Sequence, residues 1–86
     1  MPVKVRCEAD GKGYRCYVDI SDSRSASHHL VRVSHQDFEH WARGRLPDEL
    51  VRDSFDFLLA RESKESILKD FDLSLIHRYF PEYDGA

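Results

Sequence analysis

Two short segments near the start of the chain alternate apolar and polar side chains, and no other pattern in the sequence limits the fold more. They read VKVRCEA at positions 3–9 and YRCYVDI at positions 14–20, and the run DGKG separates them. Alternation with a period of two is typical of a strand with one buried face, and glycine supplies the positive φ of a tight turn. The segments therefore predict a β-hairpin with a two-residue loop at Gly11 and Lys12.

The loop length sets which residues face each other across the hairpin. Apolar residues then face apolar residues on one side, and charges of opposite sign meet on the other. The facing pairs are Val3 and Ile20, Val5 and Val18, Cys7 and Cys16, Ala9 and Tyr14, Lys4 and Asp19, and Glu8 and Arg15. Because a slip by one residue would exchange the two faces, the pattern specifies this register strongly.

A third strand is predicted after a polar loop. The loop spans residues 22–27, and its Asp and Ser content indicates a mobile connection. Residues 29–33 then form a strand with Val31 and Val33 facing inward and Arg32 facing outward. We therefore expect an N-terminal three-stranded antiparallel sheet, made of the hairpin and this strand.

Three to four helices are expected to pack on one face of that sheet. Ser34 is the N-cap of the first helix, which ends at Gly44. Pro47 occupies the first turn of the second helix, over residues 47–62, whose broad apolar arc predicts a central helix with contacts on more than one side.

Two shorter helices complete the predicted α+β fold. Ser63 caps the first, which carries Phe71, and Asp72 caps the second, which ends at Pro81. Their other apolar residues are Ile67, Leu68, Leu75, Ile76, Tyr79 and Phe80.

Length and composition bound the remaining possibilities. The chain of 86 residues is expected to be one domain, with a sheet part over 1–34, a helical part over 35–81 and a short polar tail over 82–86. Hydrophobic residues at 41% and charged residues at 34% are typical of soluble globular proteins. No apolar run is long enough for a membrane span and no signal-peptide core is visible, so we expect a cytoplasmic protein without a membrane partner.

Part of the C-terminal half resembles a known group of sequences. It reads FLLARESKESILKDFDL over residues 57–73 and RYFPEY over residues 78–83. These strings are similar to those of small, uncharacterised bacterial proteins of about this length, which share an FLL-RE-KESIL–FDL–I-RYFPEY ending. The group has no established activity, so the resemblance implies a bacterial, cytosolic source and assigns no functional residue.

Two cysteines and one histidine are the candidate metal ligands. Cys7 and Cys16 face each other in the predicted hairpin, at a spacing that a disulfide could span. Since a reducing compartment keeps thiols free, we favour two small buried side chains instead. His29 could approach the thiols, but the three residues lack the short-spaced ligand pairs of structural zinc sites. We therefore predict no metal and no other cofactor.

The polar face of the predicted sheet is a candidate nucleic-acid surface. Arg6, Arg15 and Arg32 would lie on it together with Tyr17, which offers an aromatic ring for stacking. The helical half of the chain is acidic, so any such surface is confined to the sheet. The alternative is an ordinary solvated sheet face.

Three aromatic residues near the end of the chain are candidates for a protein interface. They are Tyr79, Phe80 and Tyr83, and they alternatively serve to close a small core. On this basis we predict a non-enzymatic protein-binding or regulatory module whose partner is another protein or a second copy of the chain. Nucleic-acid binding is the alternative, and a metal-binding or enzymatic protein that uses Cys and His residues is a second alternative.

Overall fold

Four β-strands and three α-helices make up the structure, a computed structural model that describes residues 2–86. The strands are β1 (Val3–Ala9), β2 (Gly13–Ser21), β3 (Ala26–Ser34) and β4 (Asp70–Asp72). The helices are α1 (His35–Trp41), α2 (Pro47–Leu59) and α3 (Ser74–Tyr79), and a 3-10 turn at Lys64–Ser66 lies between α2 and β4. The sheet has the strand order β1-β2-β3-β4, and the fold class is α+β.

The predicted hairpin is confirmed, and every predicted facing pair of β1 and β2 is present. The amide of Asp10 donates to the carbonyl oxygen of Gly13 at 3.1 Å and closes the two-residue loop. A Cβ atom at Gly13 would lie 2.0 Å from the carbonyl oxygen of Val33, so only glycine fits at this position.

The connection between β2 and β3 differs from the mobile loop that the sequence predicts. β3 begins at Ala26 rather than at His29. The carboxylate of Asp22 accepts hydrogen bonds from the amides of Arg24 and Ser25 at 2.8 and 2.9 Å. An Asp side chain that binds the following backbone stabilises a tight turn, so the connection is a short hairpin turn and the prediction of a longer loop was wrong.

The predicted three-stranded antiparallel sheet was wrong, because β4 extends it into a four-stranded mixed sheet. β4 runs parallel to β3 and places Phe71 opposite Val31. The sequence pattern predicts a helix through Phe71, but the strand pairing buries that side chain in the core. A contact between segments distant in sequence thus overrides the local pattern.

The helices agree with the prediction at the start of α1 and α2 and differ after α2. The Oγ atom of Ser34 accepts the amide of Asp37 at 3.0 Å and caps α1. α2 begins at Pro47 as predicted but ends at Leu59. The structure has three α-helices, two of them with at least seven residues, and the predicted helix after Ser63 was wrong, because the 3-10 turn and β4 take its place.

The core lies between the sheet and the helices, with α2 at its centre. Leu50, Val51 and Phe55 of α2 are fully buried. The ring of Phe55 lies 6.1 Å from the ring of Phe71 and 5.4 Å from that of His29. α2 therefore packs against both β3 and β4.

α2 also covers the outer edge of β1. The amide of Cys7 donates to the carboxylate of Asp48 at 3.2 Å, and the guanidinium of Arg52 donates to the carbonyl oxygen of Val3 at 2.7 Å. These side chains satisfy backbone groups that would otherwise invite pairing with another strand. The edge at β1 is therefore partly blocked.

Candidate functional site

The three candidate metal ligands are engaged in other interactions. Cys7 and Cys16 form a disulfide, with their Cα atoms 4.0 Å apart. The ring of His29 uses both nitrogens, since Nδ1 lies 2.7 Å from the carbonyl oxygen of Leu68 and Nε2 lies 2.9 Å from the hydroxyl of Ser27. Within residues 2–86, no group of three or more His, Cys, Asp or Glu side chains is placed to hold a metal ion.

The disulfide corrects the expectation of two free thiols. The hairpin register that we predicted brings Cys7 and Cys16 directly opposite each other, in the pair type with the closer side chains. This pairing places the two sulfur atoms within bonding distance of each other. Free thiols were expected because of the predicted compartment and not because of the geometry of the hairpin.

The four residues of the candidate nucleic-acid surface lie on one face of the sheet. Arg15 faces Arg32 on the neighbouring strand, and Arg6 faces Tyr17. The guanidinium of Arg6 lies 4.7 Å from the centre of the Tyr17 ring and 3.5 Å from the carboxylate of Glu8. Arg6 therefore already stacks on the aromatic ring that a base would need.

Two acidic residues of β4 neutralise this face. Arg32 donates from Nε to Asp72 at 3.1 Å and also contacts Asp70, and these hydrogen bonds raise the pKa of Arg32. The face carries four lysine or arginine side chains and four aspartate or glutamate side chains, which are Lys4, Arg6, Arg15 and Arg32 against Glu8, Asp19, Asp70 and Asp72. The position of Asp70 and Asp72 on this face was not predicted, because the sequence pattern assigns Asp70 to a helix and Asp72 to a helix cap. The only local signal for their position is the alternation of Asp, Phe and Asp.

Tyr83, one of the three candidate interface residues, lies in the core with 1% of its surface exposed. Its hydroxyl is 2.6 Å from Oγ of Ser54, and its ring lies 5.1 Å from that of Trp41 and 5.3 Å from that of Phe57. Burial raises the pKa of Tyr83 to about 12. Tyr83 therefore closes the core and offers almost no surface to a partner.

Tyr79 and Phe80, the other two candidates, line an apolar groove between the end of α2 and α3. The groove has a volume of about 390 Å³, and Glu62 and Ser66 are its polar lining residues. Its apolar walls include Leu58, Ile67, Leu68, Leu75, Tyr79 and Phe80. We call this site the C-terminal groove.

Large apolar side chains at the C-terminal groove are unusually exposed. Tyr79 is 66% exposed and Leu68 is 49% exposed. In the described part of the chain only Leu46 is a further exposed large apolar residue, and it does not line the groove. The aromatic character of Tyr79 and Phe80 made them interface candidates in the sequence, whereas the predicted helix after Ser63 included Leu68 as an apolar residue.

Comparisons of the chain with protein-family models, with curated proteins and with solved structures found no match. The comparisons therefore add no family to the resemblance of the C-terminal half. No helix within residues 2–86 is long and apolar enough to cross a membrane.

Proposed function

We propose that this chain is a protein-binding module whose C-terminal groove receives apolar side chains of a partner protein. The observation that carries this proposal is the placement of Leu68 and Tyr79, which are exposed on the walls of one concave site. Exposed apolar surface is costly in water, and a partner that covers it gains about 25 cal/mol for each Å² removed from solvent. Hydrophobic grooves are a recurring binding site for apolar side chains of partner proteins.

The walls of the C-terminal groove are held by the core, which supports binding without a large rearrangement. Phe71 and Ile76 line the groove and are themselves buried. The hydrogen bond from His29 fixes the backbone of Leu68 at the rim. A largely preformed site lowers the entropy that binding must overcome.

Nucleic-acid binding, the alternative function, has weaker support. The sheet face that would carry it has no excess of positive charge, because Asp70 and Asp72 pair with Arg32. Phosphate binding depends on such an excess. We found no observation that favours an enzymatic function.

A peptide library displayed on phage tests the proposed function. The wild-type protein should enrich peptides with apolar anchors, and Leu68→Gln combined with Tyr79→Gln should weaken their binding by about tenfold or more. Leu46→Gln is the matched control, because Leu46 is 66% exposed but lies outside the groove. Enriched peptides that bind the wild type and the double variant equally well would refute this site as the binding surface.

The cytoplasmic location and the bacterial source remain predictions, and the disulfide makes the location testable. Disulfides are rare in the reducing cytosol. A cytoplasmic chain should therefore contain Cys7 and Cys16 as free thiols in intact cells. Alkylation before cell lysis, followed by mass spectrometry, measures this, and a pair protected from alkylation in intact cells would contradict a reducing location.

A further inference from the structure

We infer that the partner segment binds as an extended strand along the outer edge of β4, with cationic and apolar side chains alternating along it. This inference rests on the proposed function of the C-terminal groove and specifies the chemistry of the partner. It combines three features of the molecule: an open strand edge, the adjoining apolar groove and the charge beside the edge.

The backbone of β4 leaves its outer side open. In the parallel pairing, Leu30 donates to the carbonyl oxygen of Lys69 at 2.8 Å and Leu73 donates to that of Arg32 at 2.9 Å. This pattern directs the amide and carbonyl of Phe71 toward β3 and those of Asp70 and Asp72 away from the sheet. Within residues 2–86, no backbone hydrogen bond outside the strand ladder engages the outward groups.

The two edges of the sheet therefore differ. At β1, Asp48 and Arg52 of α2 bind backbone groups of the outer edge. At β4, the outward groups of Asp70 and Asp72 have the geometry that accepts a further strand. Strand addition is thus favoured at β4.

The C-terminal groove adjoins this open edge. Phe71 and Leu75 line the groove and also line a second, polar depression beside β4, whose other walls include Arg32, Asp70, Asp72 and Arg78. Side chains of a strand point alternately to the two faces of a sheet. A strand added to β4 would therefore project one set toward the apolar groove and the other set beside Asp70 and Asp72.

The charge beside the edge favours cationic side chains in the second set. Asp70 and Asp72 flank the edge and contact a single guanidinium, that of Arg32, while Arg78 lines the same depression without an ion pair to either carboxylate. Lysine or arginine at alternate positions would complement these carboxylates.

The same charges disfavour a second copy of the chain as the occupant. Two β4 strands that pair antiparallel about Phe71 would place Asp70 of each copy opposite Asp72 of the other. Like charges directly opposite each other destabilise strand pairing. We therefore expect the strand that pairs with β4 to come from a different protein and not from a second copy of this chain.

Two phage-displayed peptide libraries test the mode of binding. One alternates lysine with variable apolar residues, and the other spaces apolar residues as on one face of a helix. We expect enrichment from the alternating library. Enrichment from the helical library alone would overturn strand addition and leave the proposed function intact, whereas failure of both libraries to bind at the groove would overturn the proposed function as well.

Backbone N-methylation of a peptide selected from the alternating library provides a second test of strand addition. N-methyl groups on the residues whose amides face β4 should weaken binding by about tenfold or more, because each removes a hydrogen bond. The same groups on the intervening residues are the control and should have little effect. Equal effects of the two patterns would show that the peptide does not extend the sheet.

Charge variants test the predicted side chains of the partner. Asp70→Asn combined with Asp72→Asn should lower the affinity for a lysine-containing peptide by about tenfold. Arg78→Gln is the control, because it removes a positive charge from the same depression and should not lower the affinity for that peptide. Stronger binding to the Asn variant would overturn the cationic assignment. Far-UV circular dichroism should first confirm that both variants are folded.

Discussion

Nδ1 of His29 lies 2.7 Å from the carbonyl oxygen of Leu68. Because a carbonyl oxygen only accepts, Nδ1 carries the proton, and in the neutral ring Nε2 accepts from the hydroxyl of Ser27. Burial lowers the pKa of His29. A neutral histidine therefore ties β3 to the rim of the C-terminal groove.

Acidification should destabilise the fold through His29. Its pKa is lower in the folded chain than the ordinary 6.5, so the unfolded chain binds a proton first and the free energy of unfolding falls as the pH drops below about 6.5. Urea unfolding between pH 7.5 and pH 5 measures this loss. His29→Gln should lose less stability over the same range. Equal pH dependence in the two proteins would contradict the assignment.

The buried hydrogen bond of Tyr83 should contribute about 1 kcal/mol to stability. Oγ of Ser54 donates to the carbonyl oxygen of Leu50 at 2.7 Å, so the hydroxyl of Tyr83 donates to Ser54. We expect Tyr83→Phe to lower the free energy of unfolding by that amount, and Tyr79→Phe, at an exposed hydroxyl, to leave it unchanged. Denaturant unfolding compares the two, and equal losses would argue against the buried bond.

Reduction of the disulfide should lower the free energy of unfolding by about 2–3 kcal/mol, the value expected for a loop as short as this one. The fold should persist, because the apolar face of the hairpin packs independently of the bond. Unfolding with and without a phosphine reductant measures the difference. Cys7→Ser combined with Cys16→Ser should show the lower stability and no response to the reductant. An unchanged free energy of unfolding of the wild type in the presence of the reductant would contradict this prediction.

The neutral sheet face should bind nucleic acid poorly. We expect weak, salt-sensitive binding of a single-stranded oligonucleotide at most, because phosphate contacts require excess positive charge. Asp70→Asn combined with Asp72→Asn should bind more tightly than the wild type in fluorescence anisotropy. Tight binding by the wild type that is lost on charge reversal of Arg6, Arg15 and Arg32 would instead favour the nucleic-acid function.

The hairpin shows what local sequence can determine. Alternating side chains, a glycine-containing turn and charge pairs all favour one register, and each acts between residues that are close along the chain. The same holds for the start of α1 at Ser34 and of α2 at Pro47. These features were predicted correctly because the interactions that specify them are short-range.

β4 shows where such reasoning fails. Three residues are too few to show the alternation that identifies a strand. Their pairing partner in β3 lies about forty positions earlier, so the contact leaves no pattern in the local sequence. The missed strand explains two errors together. It changes the sheet from antiparallel to mixed, and it brings Asp70 and Asp72 to Arg32.

The sequence by itself determined the hairpin, its register, the facing cysteines and the central helix, because alternation, turn residues and caps act locally. Only the tertiary structure decided the fourth strand, the neutral sheet face and the groove beside Leu68 and Tyr79. Those features depend on how α2, β4 and α3 meet. Whether an apolar side chain becomes core, like Tyr83, or surface, like Tyr79, is set by that packing and not by its residue type.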